Sequence, residues 1–171
     1  MPANDEDVPL ATSTYQQLID LLAEHGADYE LVDHEPAGVT EEASAARGHP
    51  AAWAAKALML VVKPDRRSRK YVLAVVPGDR RVDLDAVRRY YGARYAGVCE
   101  TETAEQLAGA VSGTILPIAM HDDVELLADP AVLEQPQLYF NAARLDQSVR
   151  LATADWARIA RPVLHPIATG G

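Results

Sequence analysis

The chain has 171 residues, which fits one domain and leaves little room for a second. Hydrophobic residues make up 49% and charged residues 24% of it, a balance that excludes a mainly disordered chain, a collagen-like chain and a coiled coil. Apolar runs such as Ala57–Val62 are too short to cross a bilayer, and the single cysteine, Cys99, excludes an intrachain disulfide and a cysteine zinc site. The start of the chain lacks the pattern of a signal peptide, so we expect a cytoplasmic protein with no membrane partner.

Charge is distributed unevenly along the chain, whose net charge is −9. No Lys or Arg precedes Arg47, whereas Asp and Glu occur eleven times up to Glu42. Between Lys63 and Arg94, ten basic residues stand against four acidic ones, a net charge of +6. The overall negative charge argues against indiscriminate nucleic-acid binding and against DNA as a partner. The basic window is either a solvated surface or a local anion-binding face.

Periodicity and capping signals predict alternating helices and strands in the first half of the chain. After an acidic, flexible tail over residues 1–11, Ser13 caps an amphipathic helix, and Tyr29–His34 forms a short strand. Thr40 caps a second helix, whose body of small residues, Ala43–Ala46, allows a ligand to approach closely.

The middle of the chain predicts a hairpin of two buried strands. Its apolar, β-rich runs are Ala57–Val62 and Tyr71–Val76, and the basic loop Pro64–Lys70 joins them. Asp83 then caps a third helix, and Tyr95–Cys99 is another strand.

The second half continues the alternation and ends in a tail over residues 163–171. Because strands, hairpins and helices are interleaved, the sheet should be mixed rather than purely parallel, in a single α/β (α+β) domain. The predicted elements are a helix capped by Thr103 and ended by Gly109, a strand over Val124–Ala128, a helix start at Asp129-Pro130, a hairpin of Gln137–Ala142 with Ser148–Ala152, and a last helix capped by Thr153.

Several standard catalytic patterns are missing from the sequence. It contains no nucleophile elbow, no P-loop and no dinucleotide-binding fingerprint. Its five histidines lack metal-ligand spacing, and His121-Asp122-Asp123, which could offer ligands, is more often a solvated loop. We therefore expect neither a metal nor an organic cofactor.

Two features have a chemical interpretation. Lys56 lies where a small-residue segment gives way to an apolar strand, and it is either a surface lysine or a fixed cation that points into a pocket. The loop Gly113–Pro117 is either a tight turn or a backbone cradle, because glycine lets peptide groups approach a reacting centre.

A series of short motifs, in order and with their spacing, resembles the YbaK and prolyl-tRNA-synthetase-type editing-domain family of aminoacyl-tRNA deacylases. The resemblance covers about residues 15–160, nearly the whole chain. The motifs are His34-x-Pro36, Thr40-Glu-Glu-Ala-Ser44, Lys56 before its strand, Val82-Asp-Leu84, the Gly113-x-x-x-Pro117 loop, Asp129 after a strand, Phe140-Asn-Ala142 and Thr153-x-Asp155-Trp156.

The resemblance implies a domain over residues 12–162 with a mixed, strongly curved sheet or barrel flanked by helices. It implies a free-standing trans-editing enzyme that hydrolyses the ester of a mischarged tRNA, with a small amino acid such as Ala, Cys or Ser and tRNA-Pro as one candidate carrier. The partners would be the acceptor end of aminoacylated tRNA and, as a candidate, a synthetase. In this family the terminal hydroxyl of the tRNA is thought to assist attack by water, which would explain why no catalytic triad is present.

The resemblance also assigns roles to individual residues. Lys56 and Gly113 would be catalytic. Residues that would bind substrate are His34, Thr40, Thr114, Ile115, Leu116, Pro117, Asn141 and Ala142. The basic loop residues that would bind RNA are Arg66, Arg67, Arg69 and Lys70.

The chain departs from the family pattern at three positions. Thr114, Ala119 and Ala143 stand where the family often has glycine, and each adds atoms near the expected pocket. Two other functions remain open from the sequence: a non-catalytic module that binds aminoacyl-tRNA or an aminoacyl ligand, and a hydrolase of a non-tRNA aminoacyl ester.

Overall fold

The computed structural model of the chain describes residues 13–37 and 40–170, in which five α-helices alternate with ten β-strands. The predicted acidic tail over residues 1–11 lies outside the described residues. The helices are α1 (Thr14–Glu24), α2 (Thr40–Arg47), α3 (Leu84–Tyr90), α4 (Thr101–Ala108) and α5 (Thr153–Ala160), with two 3-10 turns at Ala51–Trp53 and Pro130–Glu134. The strands are β1 (Tyr29–Asp33), β2 (Ala55–Lys63), β3 (Lys70–Pro77), β4 (Arg81–Val82), β5 (Tyr95–Val98), β6 (Val124–Ala128), β7 (Gln137–Asn141), β8 (Gln147–Ala152), β9 (Val163–Leu164) and β10 (Ala168–Thr169).

The largest sheet has five strands in the order β5-β2-β3-β6-β9. Its centre is the predicted hairpin, in which β2 and β3 pair antiparallel from Ala55 opposite Pro77 to Val62 opposite Lys70. Strand β5 adds antiparallel to β2, whereas β6 and β9 add in parallel on the other side. The prediction of a mixed sheet in an α/β domain is therefore confirmed.

Two smaller antiparallel sheets complete the fold, one of β1-β8-β7 and one of β10-β4. The expectation of a strongly curved sheet or barrel is corrected here, because none of the three sheets formed by the described residues closes. An isolated parallel bridge between Ala54 and Tyr139 connects the three-stranded sheet to the segment that leads into β2. The two larger sheets thus meet at the start of β2.

Two groups of buried side chains pack on opposite faces of the five-stranded sheet. Along β2, Met59 belongs to one group and Leu60 to the other, since successive side chains of a strand point to opposite faces. Trp156 of α5 packs in the first group, and Val87 of α3 and Ile167 pack in the second. Burial on both faces explains why β2 and β3 appear in the sequence as continuous apolar runs.

Two of the predicted helix caps are confirmed. The Ser13 hydroxyl oxygen accepts a hydrogen bond from the Gln16 backbone N–H at 3.1 Å at the start of α1. The Asp83 carboxylate accepts one from the Ala86 N–H at 3.1 Å at the start of α3. Each cap satisfies a backbone donor that the first turn of a helix leaves unpaired.

Two of the other three predicted caps, Thr103 and Thr153, are wrong, and the third, Thr40, is the first residue of α2, with a side chain outside the described residues. Helix α4 begins two residues before Thr103, because the Ala104 N–H donates to the Glu100 carbonyl at 2.8 Å and extends the helix backwards. Thr153 is the first residue of α5 rather than its cap, and its hydroxyl donates to the Gln135 carbonyl at 2.5 Å.

The end of the chain is packed against the body, although the sequence suggests a tail over residues 163–171. Strand β9 pairs with β6, and β10 pairs with β4. The buried carboxylate of Asp129 accepts hydrogen bonds from the N–H groups of Ile167 at 2.8 Å and Ala168 at 2.7 Å. No described helix has the length and hydropathy that a bilayer crossing requires.

Candidate active site

A pocket of about 490 Å³ opens where β2 begins. Consecutive residues from Ala54 to Leu58 line it, instead of every second residue as on the face of a strand. The reason is that β5 pairs with the outer edge of β2 only from Leu60 to Lys63, so the first half of that edge faces the pocket. Small and apolar side chains dominate the lining: Ala43, Ala55, Ala57, Leu58, Ile115 and Phe140.

Lys56 is on this edge, opposite Val76 of β3, and its half-buried side chain lines the pocket. Arg81, an exposed residue of β4, is a second cation in the described lining. Strand β4 is held in place by β10, which is anchored in turn by Asp129. Two positive charges at one pocket favour a ligand that carries negative charge.

The loop from Gly113 to Pro117 forms another part of the wall. Gly113 has a φ of +89°, in the left-handed region that favours glycine. Gly113 and Ile115 line the pocket, whereas Thr114 is buried and its hydroxyl donates to the Val111 carbonyl at 2.7 Å. The Gly113 backbone therefore lies open to a ligand, while the rest of the loop is held by the core.

Asn141, at the end of β7, connects the loop to the three-stranded sheet. Its side chain is in the pocket lining, and the residue is 7% exposed. The carboxamide nitrogen donates to the carbonyl oxygens of Ala37 at 2.7 Å and Gly113 at 3.3 Å. The carboxamide oxygen accepts a hydrogen bond from the Ser148 hydroxyl at 3.1 Å. Asn141 thus holds the Gly113 carbonyl in a fixed position.

An aromatic pair also borders the pocket. The ring of Tyr139, which is in the lining, stacks on the ring of His49 with 3.8 Å between centroids and 20° between planes. Tyr139 has no signal in the sequence, because its place on an alternating strand gives no sign of which face is open. Arg81 has no distinguishing signal either, because it is one of ten basic residues between Lys63 and Arg94.

The structure brings some of the expected site residues together and separates others. Lys56, Gly113, Ile115 and Asn141 line one pocket. The side chain of Thr40 lies outside the described residues. The other expected substrate-binding residues lie behind the wall: His34 against Ser148, Thr114 and Leu116 in buried positions, Pro117 bonded to Trp156, and Ala142 fully buried. The roles of all these residues remain predictions.

The basic loop is at the far end of the hairpin. From Lys56 to Lys63, β2 extends about 23 Å at the usual rise per residue. Arg66, Arg67 and Arg69 are exposed there.

Two contacts define the shape of this loop. Backbone N–H groups of Arg67 and Ser68 donate to the Asp65 carboxylate and lower its pKa. Lys70, in contrast, forms an ion pair with Glu125 at 2.8 Å and lies 5.0 Å from the centre of the Tyr91 ring. Lys70 is therefore less available to an RNA phosphate than the three arginines.

The three departures from the family's glycines leave the pocket open. Thr114 points into the loop, and Ala119 packs against the core. Ala143 has a φ of +60°, so it keeps the left-handed backbone that glycine favours. Among residues 13–37 and 40–170, no group of three or more His, Cys, Asp or Glu is arranged to hold a metal ion.

Comparison with known families identifies the class of protein to which this chain belongs. The model of the aminoacyl-tRNA editing domain family matches residues 34–159, well over half of the chain. The chain belongs to the aminoacyl-tRNA editing domain family, and the resemblance seen in the order of its motifs is confirmed.

Individual relatives agree with this assignment. The chain is 39% identical over 152 residues to the multifunctional Ser/Thr-tRNA deacylase ProXp-y of Escherichia coli (strain K12). The match covers 88% of this chain and 90% of that protein. It is 34% identical over 71 residues to the proline–tRNA ligase of Lactiplantibacillus plantarum, covering 42% of this chain and 12% of the ligase.

Solved structures share the fold at low sequence identity. The crystal structure of the hypothetical protein APE2540 superposes with a TM-score of 0.80 at 17% identity, covering 90% of this chain and 99% of that one. A proposed trans-editing enzyme for prolyl tRNA synthetase gives a TM-score of 0.76 at 18% identity, covering 94% of this chain and 100% of the other.

Proposed function

We propose that this chain is a free-standing aminoacyl-tRNA deacylase, which hydrolyses the ester between a wrongly attached amino acid and the 3′ end of a tRNA. The observation that carries the proposal is the meeting of Lys56, Gly113 and Asn141 in one pocket of an aminoacyl-tRNA editing domain. The relative in E. coli, which this chain matches over 90% of its length, is named as a Ser/Thr-tRNA deacylase.

The pocket suits the end of an aminoacylated tRNA. Its volume of about 490 Å³ is in the range of small-molecule sites, so it would take the terminal nucleoside and its amino acid but not a stem. The cations Lys56 and Arg81 suit the phosphate-bearing end of the substrate, and the alanine-rich wall suits a small amino-acid side chain.

The chemistry would use water as the nucleophile. The described lining contains no Ser, Thr, Cys, His, Asp or Glu side chain that could attack the ester or remove a proton from water. Water adds to the ester carbonyl carbon, the bond from that carbon to the tRNA oxygen breaks, and the tRNA oxygen leaves with a proton. Lys56 would act as a fixed positive charge, and the Gly113 backbone would orient the ester.

The amino acid on the mischarged tRNA is expected to be Ser or Thr. The relative in E. coli carries these two in its name, and both are small and carry a hydroxyl. An alanyl group lacks this hydroxyl and offers the pocket one hydrogen-bonding group fewer. Ala- and Cys-tRNA, the other substrates expected from the family resemblance, should therefore react more slowly.

The tRNA would contact the enzyme beyond the pocket through the basic loop. Its exposed arginines follow the end of β2, which lies about 23 Å along the strand from Lys56, so they would meet phosphates of the acceptor stem. A synthetase is the proposed partner that supplies the mischarged tRNA, in keeping with the partial match to a proline–tRNA ligase.

A deacylation panel tests the proposal. Purified protein is incubated with Ser-, Thr-, Ala-, Cys- and Pro-tRNA, and the remaining ester is measured against time. We expect Ser- or Thr-tRNA to be hydrolysed fastest, and a matched pocket variant, Lys56→Ala, to be nearly inactive. Tight binding of aminoacyl-tRNA without hydrolysis would favour a non-catalytic module, and hydrolysis of simple aminoacyl esters only would favour a non-tRNA hydrolase.

A further inference from the structure

A chain of hydrogen bonds runs from His34 to the pocket through the fully buried Ser148. The Nε2 atom of His34 is 2.7 Å from the Ser148 hydroxyl oxygen, which is 3.1 Å from the carboxamide oxygen of Asn141. The carboxamide nitrogen of Asn141 then donates to the Gly113 carbonyl at 3.3 Å. His34 itself is outside the pocket lining, so its influence on a ligand would pass through the two residues between.

The donor in each of these hydrogen bonds follows from the groups that can only accept. Carbonyl oxygens only accept, so the carbonyls of Ala37 and Gly113 require the nitrogen of the Asn141 carboxamide, and its oxygen must face Ser148. Ser148 has one hydroxyl proton, and it goes to that oxygen. The Ser148 oxygen must then accept from Nε2–H of His34.

The other ring nitrogen of His34 also has to donate. Nδ1 is 2.7 Å from the Glu35 carbonyl oxygen, which can only accept. All of these hydrogen bonds therefore form together only when both ring nitrogens of His34 carry a proton. In the neutral ring one nitrogen lacks its proton, so either the Glu35 bond is lost or Ser148 turns its proton away from Asn141.

We propose that His34 and Ser148 are positioning residues that hold the Asn141 carboxamide against the Gly113 loop, and that protonation of His34 strengthens this hold. This gives His34 a role through Asn141 instead of direct contact with substrate. The effect on deacylation rests on the proposed function, whereas the coupling between His34 and Asn141 does not.

Charged groups of both signs surround His34. Asp146, in the turn between β7 and β8, interacts electrostatically with His34, and the His34 N–H donates to the Asp146 carbonyl at 3.0 Å. The Asp146 carboxylate is paired with Arg144 at 2.9 Å, so its charge is partly balanced. Asp33 and Glu35 flank His34 in the sequence, and the Asp33 carboxylate accepts from the Gln147 carboxamide at 2.7 Å.

Nuclear magnetic resonance on the full chain without substrate tests the coupling. The side-chain amide signals of Asn141, identified by their loss in Asn141→Ala, are followed together with the imidazole signals during a pH titration. We expect the Asn141 amide shifts to follow the titration of His34 in the wild type. In Ser148→Ala the Asn141 signals should no longer follow the imidazole signals of His34.

A matched control removes an exposed histidine, His121, with His121→Gln; it should leave the response of Asn141 unchanged. Asn141 signals that ignore His34 in the wild type would overturn the proposal. So would an equal response in wild type and Ser148→Ala, because the coupling would then not pass through the hydroxyl.

Deacylation provides the second readout. Ser148→Ala should lower kcat roughly threefold to tenfold, the effect of one hydrogen bond, with little change in KM. His34→Gln keeps a donor near the Nε2 position and does not titrate, so it should lose less activity than His34→Leu and flatten the pH profile. If His34→Gln and His34→Leu lose equal deacylation activity and both have reduced thermal stability, the role of His34 is purely structural.

The two proposals can fail separately. If Asn141 follows His34 but the wild type hydrolyses no aminoacyl-tRNA, the proposed function is wrong and the coupling stands. If the wild type is an active deacylase and Asn141 does not respond, the coupling alone is wrong.

Discussion

The indole N–H of Trp156 donates to the carbonyl oxygen of Pro117 at 2.8 Å, and this buried hydrogen bond ties the end of the pocket loop to helix α5. Trp156→Phe keeps the aromatic packing but leaves that carbonyl unpaired. We expect the free energy of unfolding to fall by about 1–3 kcal/mol, measured by chemical denaturation. An equal loss in Trp53→Phe, at a half-buried tryptophan outside the pocket, would show that the hydrogen bond is not the cause.

Lys56 should be required for activity but not for folding. Lys56→Met keeps most of the aliphatic stem and removes the charge, so we expect the deacylation rate to fall by about 100-fold or more while the thermal unfolding curve stays close to that of the wild type. Lys63→Met is the matched control, since Lys63 is on the same strand but contacts Tyr95. A Lys56 variant that hydrolyses at the wild-type rate would remove this residue from the mechanism.

Ala143 is expected to be a strained position. A left-handed backbone costs a residue with a side chain more than it costs glycine, so Ala143→Gly should raise the free energy of unfolding by about 1 kcal/mol. Ala142→Gly, at the neighbouring fully buried position, should do the opposite. Denaturant titration of the two variants measures both effects, and destabilisation by Ala143→Gly would contradict the argument.

Asp155 should make stability depend on pH. Its carboxylate accepts a hydrogen bond from the Asp28 backbone N–H at 2.8 Å and pairs with Arg158 at 2.9 Å, and these contacts lower its pKa below the ordinary value of 3.8. A lowered pKa in the folded state stabilises the protein above 3.8, and this contribution is lost as the pH falls through the folded pKa.

The variant Asp155→Asn should therefore be less stable than the wild type at neutral pH, and the difference should shrink as the pH falls below 4. Unfolding measured between pH 7 and pH 3 provides the comparison. Asp122→Asn, at an exposed carboxylate that accepts none of the described hydrogen bonds, should show no such trend. A difference that stays constant over this range would mean that the carboxylate charge is not involved.

The basic loop should contribute to tRNA binding in unequal parts. Each phosphate contact changes the slope of log K against log salt by about −0.7 for single-stranded and −0.9 for double-stranded nucleic acid. Replacing Arg66, Arg67 and Arg69 together by Ala should flatten this slope, whereas Lys70→Ala should change it little because Lys70 is paired with Glu125. Identical salt titrations of wild type and the triple variant would mean that the loop is solvated surface.

The parts of the fold that could be predicted from sequence are those set by local patterns. The runs Ala57–Val62 and Tyr71–Val76 are continuous and apolar because both faces of their strands are buried, so the hairpin was evident. The pairing of β1 with β8 joins Tyr29 to Leu151, far apart in the chain, and no local pattern indicates it. The barrel expectation came from the family resemblance instead of a local pattern, and the pairing of the strands into three separate sheets contradicts it.

The C-terminal segment and the pocket also combine features that local patterns predict with features that depend on distant contacts. Strands of two residues, such as β9 and β10, are too short for an alternating pattern, and their position depends on the distant carboxylate of Asp129. Lys56 and Gly113 could be singled out because a lysine and a glycine stand out among their neighbours. The contact of His34 with Ser148 crosses 114 positions and has no sequence signal.

The hairpin of β2 and β3 holds the pocket at one end and the basic loop at the other, so it sets their spacing as a molecular ruler. Removing two residues from each strand would shorten this ruler by about 7 Å and keep every remaining side chain on its own face, because side chains alternate with a period of two. The arginines would then reach the RNA closer to its 3′ end, with the pocket unaltered. Strand length, independent of charge, thus decides which part of a bound stem the loop can reach.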